Sequence, residues 1–187
     1  MTLPEITFAN VLDYIGTLAF AISGIRLAST KNFDWFGAYV VGLATAIGGG
    51  TVRDLMLDVP VFWMRNGIYF LITLLALLLV VLFGKVVVRQ KYTWFIFDTI
   101  GLGMFAVIGI EKTLGVGFPF WVAIVMGSVT GAGGGVIRDV FLNEVPLIFR
   151  AEIYAVACVL GGLAYWVCSL CGWGNVPCGL VCGSVVI

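Results

Sequence analysis

The sequence predicts an all-α integral membrane protein with seven transmembrane helices: two inverted three-helix repeats followed by a C-terminal helix. Three observations lead there. The 187 residues are 61% hydrophobic and 11% charged, with a mean hydropathy of +1.13. The apolar residues fall in runs close to the ~20 that a helix needs to cross the hydrocarbon core. The chain also superimposes on itself when it is shifted by 85 positions.

The charge content is the first constraint. A soluble domain carries about 25% charged residues, roughly twice the share found here. Lipid offers the backbone no hydrogen-bond partner, so a crossing must be a helix or part of a closed barrel, and these runs are too long and continuous for barrel strands. Cutting at charges, prolines and turn residues gives six segments: Phe8–Ile25, Trp35–Val52, Gly67–Gly84, Tyr92–Ile110, Phe118–Ile137 and Ile153–Cys171. A seventh run begins near Pro177 and reaches Ile187, eleven residues that cannot span alone; it is either a half-crossing or the start of a longer helix, and the second is the expectation. The organisation is thus a first repeat over 8–84, a second, inverted repeat over 92–171, and the start of a seventh helix over 177–187.

Several function classes drop out. Net charge is zero, which gives no field for nucleic acid or another polyanion. The chain contains no His, so the commonest metal ligand and proton shuttle is missing, and no Ser-His-Asp set can form. The N-terminus lacks a basic n-region and carries Glu5 and Asp13, which reads as mature sequence rather than a signal peptide. Cys168 and Cys171 form a C-x-x-C pair, a spacing that redox and metal sites use. With five cysteines and no His, the pattern reads instead as small apolar residues in a helix. No metal site, cofactor or catalysis is expected.

Orientation follows from the basic residues. Loops after the first, third and fifth segments hold Arg26, Lys31, Lys85, Arg89, Lys91, Arg138 and Arg150, whereas the other side holds Arg53, Arg65 and Lys112. The positive-inside rule puts the first set in the cytoplasm and the N-terminus outside.

The repeat is detailed. The shift of 85 places Asp13-x-x-Gly16 on Asp98-x-x-Gly101, Phe20 on Phe105, Gly42 on Gly127 and Thr45 on Thr130. It also places Gly48-Gly49-Gly50-Thr51-Val52-Arg53-Asp54 on Gly133-Gly134-Gly135-Val136-Ile137-Arg138-Asp139. A one-residue slip aligns Val59-Pro60 with Val145-Pro146, and the offset returns at Tyr69 and Tyr154. With three crossings per copy, the second copy enters the membrane from the opposite side, an architecture common among transport proteins.

The chemistry-bearing segment is GGG-x-x-RD, present twice. Adjacent glycines weaken a helix and predict a kink or unwound turn at Gly48–Gly50 and Gly133–Gly135. Paired breaks in inverted halves point to a polar pathway between them, and close helix packing is the other use of such glycines. Topology gathers Asp13, Arg53 and Asp54 at one end of the bundle and Asp98, Arg138 and Asp139 at the other. Intramembrane charges face the interior, as ion pairs that hold helices together or beside water on an ion path. Asp13 and Asp98 are the better path candidates, because carboxylates attract cations. Thr45 and Thr130, one turn before the glycines, with Thr17, Ser23 and Thr99, either line the route or bond back to their own helix. GGGTVRD lacks the P-loop spacing.

With its two GGG-x-x-RD segments, its Asp-x-x-Gly openings at Asp13 and Asp98 and its 3+3+1 layout, the sequence resembles the prokaryotic branch of the trimeric intracellular cation channel family. The resemblance covers Asp13 to about Tyr154. It implies a homotrimer in the bilayer with one pore per protomer, shaped by the second and fifth helices at their glycines. It implies monovalent cations as partners, potassium chiefly and sodium second, and a multi-pass location in a prokaryotic plasma membrane. The basic residue used by animal members falls near Glu111-Lys112. The same duplicated unit resembles a bacterial family proposed to transport glycine, which gives a small-solute secondary transporter as the alternative.

Overall fold

A computed structural model describes residues 7–83, 93–150 and 152–187. The expectations on Glu5, Gly84, Lys85, Arg89, Lys91 and Tyr92 lie outside these residues. The described chain is helical: α1 (Phe8–Thr30), α2 (Trp35–Met56), α3 (Phe62–Arg65), α4 (Ile68–Leu82), α5 (Thr93–Gly115), α6 (Phe120–Phe141), α7 (Leu147–Arg150), α8 (Glu152–Leu170) and α9 (Asn175–Val186). Five of these, α1, α2, α5, α6 and α8, are long and apolar enough to cross a bilayer. Within the described residues α4 has 15 residues and α9 has 12, shorter than a full crossing.

Local sequence sets the ends. Thr7 accepts a hydrogen bond from Asn10 N, and Asp34 accepts one from Gly37 N at 2.7 Å, N-caps that start α1 and α2. Asp58 and Asn143, 85 positions apart, both take left-handed backbone at φ 53° just after α2 and α6. Asp and Asn tolerate this conformation better than other side chains. The matching turns keep the offset throughout: Val59 N bonds Asp54 O and Glu144 N bonds Asp139 O. The one-residue slip read from the prolines is therefore corrected, since Pro60 and Pro146 occupy neighbouring positions of equivalent turns.

The inversion is visible in which residues meet. A Cβ on Gly16 would touch Met104 and Phe105, one on Gly101 would touch Phe20, and Ser23 bonds Asp98. Rising numbers on α1 thus meet falling numbers on α5, so the equivalent helices run antiparallel. The same holds for α2 and α6. There a Cβ on Gly49 would lie 2.1 Å from Thr130 O, and one on Gly134 would lie 2.2 Å from Thr45 O. These reciprocal contacts mark a pseudo-two-fold axis between the repeats.

The glycine triplets do not break their helices. Both α2 and α6 run uninterrupted through Gly48–Gly50 and Gly133–Gly135, contrary to the expected unwound turn. The reason is distance: without side chains the two backbones cross in contact, as small residues allow in membranes. Gly48 leaves room for the Ile137 side chain, and Gly133 faces the Gly49 Cα. Around the axis the core is apolar, with Phe20, Ile25, Leu102, Phe105 and Ile110 buried. Helix α4 closes one flank with Tyr69, Thr73, Ala76 and Val80, buried at helical spacing.

Candidate functional site

Two polar clusters stand at opposite ends of this apolar centre. Asp13 lies near the start of α1 and Ser23 lies ten residues further on, about 15 Å along the helix. Asp13 belongs to the first cluster and Ser23 reaches the second. Arg53 and Asp54 stand at the Asp13 end, and Arg138 and Asp139 at the Asp98 end.

At the Asp98 end the groups are packed tightly. Arg138 pairs with Asp98 through Nη1, and its Nε donates to Asp139 Oδ1 at 2.8 Å. Nη2 lies 2.8 Å from the same Asp139 oxygen, off the hydrogen-bonding direction. Nη1 also donates to Ser23 Oγ at 2.9 Å, and Tyr154 donates its hydroxyl to Asp98 Oδ2 at 2.7 Å. The Trp94 ring lies 5.3 Å from the guanidinium carbon. Arg138 and Asp98 are wholly inaccessible. Removing two such charges from water is tolerable only with this density of partners. Gly135 faces the cluster, since a Cβ there would sit 3.0 Å from the Tyr154 hydroxyl.

The Asp13 end uses equivalent residues differently. Arg53 Nε donates to Asp54 Oδ1 at 2.8 Å, and Lys112 Nζ donates to that same oxygen at 2.7 Å. Asp13 instead accepts from the Tyr69 hydroxyl. Among the described residues, Asp13 and Arg53 form no ion pair. A cavity of about 460 Å³ opens here, lined by Asp13, Arg53, Tyr69, Glu111 and Lys112. Another hollow, about 500 Å³, lies between α5, α8 and α9, but it is largely apolar and no charged side chain lines it.

Asp54 and Asp139 have a second task. Their Oδ2 atoms accept from Phe62 N at 3.0 Å and Leu147 N at 2.9 Å, the first residues of α3 and α7. Each therefore ties its arginine to the turn that follows, which leaves Asp13 and Asp98 as the acids facing across the bundle. Thr45 and Thr130 are fully buried and donate to Val41 O and Met126 O, both at 2.6 Å. Thr99 bonds back to Phe95 O. Of the two uses open to these hydroxyls, the back-bond is the one adopted.

Sequence reasoning assigned no site role to Tyr69 and Tyr154, although both appeared in the 85-residue alignment, which was the signal available. Lys112 was pointed to only by resemblance, and here it bonds Asp54. Arg53 and Arg138, counted as loop charges for orientation, are interior. Cys158, Cys178 and Cys182 are buried among the apolar side chains of α8 and α9.

Known proteins share this arrangement. A family model described as a glycine transporter matches residues 10–85 and 95–169. The UPF0126 inner membrane protein YadS of Escherichia coli is 42% identical over 160 residues, covering 82% of this chain and 75% of that protein. The solved structure of a trimeric intracellular cation (TRIC) channel orthologue from Rhodobacter sphaeroides aligns with TM-score 0.91 and 33% identity, over 97% of this chain and 94% of that one. A prokaryotic TRIC channel solved in 0.5 M KCl aligns with TM-score 0.86 and 30% identity, over 95% and 93%. These relatives are channels and membrane proteins, not enzymes.

Proposed function

This chain belongs to the prokaryotic branch of the TRIC channel family, and we propose that it conducts monovalent cations, chiefly potassium and secondarily sodium. The observation that carries the reading is the placement of Asp13 and Asp98. Each is a carboxylate at one end of the axis between the inverted repeats; Asp98 is buried, and Asp13 is partly buried and lines a cavity. Carboxylates on such a path favour cations over anions, and paired basic groups keep a dehydrated ion from binding too tightly to leave. The route runs from the cavity past Phe20 and Phe105 to the Asp98 end, one pore in each protomer of a homotrimer. No cofactor is needed beyond the permeating ion. The protein sits in a prokaryotic inner membrane with the Asp13 end and the N-terminus outside.

A second reading, a glycine-type secondary transporter, is favoured by one specific feature. The cavity presents Asp13 and Glu111 together with Arg53 and Lys112. That mixture complements a zwitterion as well as a cation.

Purified protein in planar bilayers under a potassium chloride gradient separates the readings. Steps reversing near the potassium potential, and altered by Asp13→Ala, support the channel. Silence with well-incorporated protein, alongside saturable glycine uptake into liposomes, supports the transporter.

A further inference from the structure

One buried hydroxyl of the bundle stands without a partner. Among the described residues, five threonines are wholly inaccessible: Thr17, Thr45, Thr73, Thr113 and Thr130. Four of them donate to the carbonyl four residues earlier, Thr45 to Val41, Thr130 to Met126, Thr73 to Tyr69 and Thr113 to Gly109. Thr17 makes no such bond to Asp13, and among the described residues its Oγ1 has no hydrogen-bond partner. Burying a hydroxyl unpaired costs free energy that a hydrocarbon of the same shape does not.

This hydroxyl lies on the proposed route. Asp13, Thr17, Phe20 and Gly24 recur at the spacing that places residues on one face of α1. Asp13 lines the cavity, Phe20 meets Phe105 on the axis, and a Cβ on Gly24 would lie 2.5 Å from Thr45 Oγ1. Thr17 therefore stands between the cavity and the aromatic pair, about 6 Å along the helix from Asp13. Packing does not ask for its oxygen. The counterpart of Thr17 is Leu102, which shares the matching face of α5 with Asp98, Phe105 and Gly109 and is also buried. A Cβ on Gly131 would lie 3.2 Å from Leu102 Cδ1, so hydrocarbon fills the equivalent place.

We propose that Thr17 Oγ1 is a coordinating station for the permeating cation, taking the place of one water of its shell between Asp13 and the Phe20–Phe105 pair. The step rests on the cation route proposed above. A hydroxyl oxygen carries two lone pairs, and here neither is engaged by the protein. An ion that leaves Asp13 enters an apolar stretch, where protein oxygens must stand in for the water it sheds. One neutral oxygen does this in part, and a weak ligand also lets the ion go. On the far side of the rings Leu102 presents only carbon from its side chain, so the ion meets a polar step in one half of the route and an apolar one in the other.

The test compares the unmodified protein with Thr17→Val and Thr17→Ser, as full chains, by thermal unfolding in detergent and by single-channel current in potassium chloride. Thr17→Val keeps the shape and removes an oxygen that no protein group bonds, so its unfolding midpoint should equal or exceed that of the unmodified protein. Its potassium conductance should fall about fivefold, the net worth of one hydrogen bond read as a rate, while Thr17→Ser keeps most of the current. Thr17→Cys decides the matter if Thr17→Val does not insert: silver ion, a soft monovalent cation, should abolish its current faster than that of the unmodified protein, whose own five cysteines set the background. Unchanged conductance in Thr17→Val would mean that the hydroxyl holds a structural water only, and would overturn the assignment. So would a conductance loss that comes with a lowered midpoint, or silver block no faster in Thr17→Cys. Each of these leaves the channel standing. Silence of the unmodified protein, alongside saturable glycine uptake, overturns the cation route and this step together.

Discussion

The rings of Phe20 and Phe105 meet 5.2 Å apart at a tilt of 55°, each the other's counterpart under the 85-residue offset. They sit on the pseudo-two-fold axis, between the two charged clusters, and both are buried. Phe20 also packs against the Gly134 position, so the aromatic pair and the crossing of α2 with α6 form one plug. An ion moving between the clusters must displace or pass these rings.

Phe20→Ala should therefore have two opposed effects. Deleting a buried ring costs about 3–5 kcal/mol of stability, from lost burial and the cavity left behind. The same cavity widens the narrowest part of the route, so single-channel conductance should rise. Thermal unfolding in detergent and bilayer recording on the same preparation check both. Lowered stability with unchanged conductance would place the route elsewhere.

Gly49→Ala tests the crossing. A methyl there would lie 2.1 Å from the Thr130 carbonyl oxygen, a backbone atom that no rotamer change can move. Overpacking of well-packed cores typically costs about 1–3 kcal/mol, and a backbone clash belongs at or above the top of that range. Gly134→Ala should behave alike, at 2.2 Å from Thr45 O. Gly67→Ala, with nothing within 4 Å, is the control and should leave the unfolding midpoint nearly unchanged.

The two arginines should respond unequally. Arg138→Met leaves Asp98 and Asp139 both buried without their cation, a loss of about 3–5 kcal/mol by the usual cost of breaking a buried pair. Arg53→Met leaves Asp54 still bonded to Lys112 and Asp13 still bonded to Tyr69, so its cost should be smaller. Comparing unfolding midpoints of the two variants checks the order. An equal loss would mean that the cavity at the Asp13 end does not relieve its charges.

These contrasts show how far the sequence could be read. The duplication was legible because each half must solve the same problem in lipid, so Asp13, Phe20, Thr45, Gly49, Arg53 and Tyr69 all reappear 85 positions on. The inversion followed from counting crossings. The unwound turn expected at the triplet glycines does not form, because helix propensity belongs to one helix, whereas the glycines also serve a second helix that a linear pattern does not show. Lys112 was legible only through resemblance for a related reason. Its partner Asp54 is 58 positions away, and its counterpart Leu27 removes it from the repeat. Unlike the shared groups, the groups that make the ends differ leave no periodic trace.

The last prediction concerns pH at the one mouth that carries an exposed bridge. Glu144 lies in the turn between α6 and α7. Lys31, by its hydrogen bond and then its charge, with a smaller effect of Arg150, holds the Glu144 carboxyl below the ordinary glutamate value. Because the folded value is depressed, the bridge adds stability above the unfolded value, about 4.3 for an ordinary glutamate. That contribution fades as pH falls through the folded value, where both states are protonated. The unfolding midpoint of the unmodified protein should therefore exceed that of Lys31→Met at neutral pH, and the gap should close on acidification below the ordinary glutamate range. Because the bridge is exposed, the gap should also shrink in high salt. A gap that is constant with pH would show that Lys31 acts through packing rather than through Glu144.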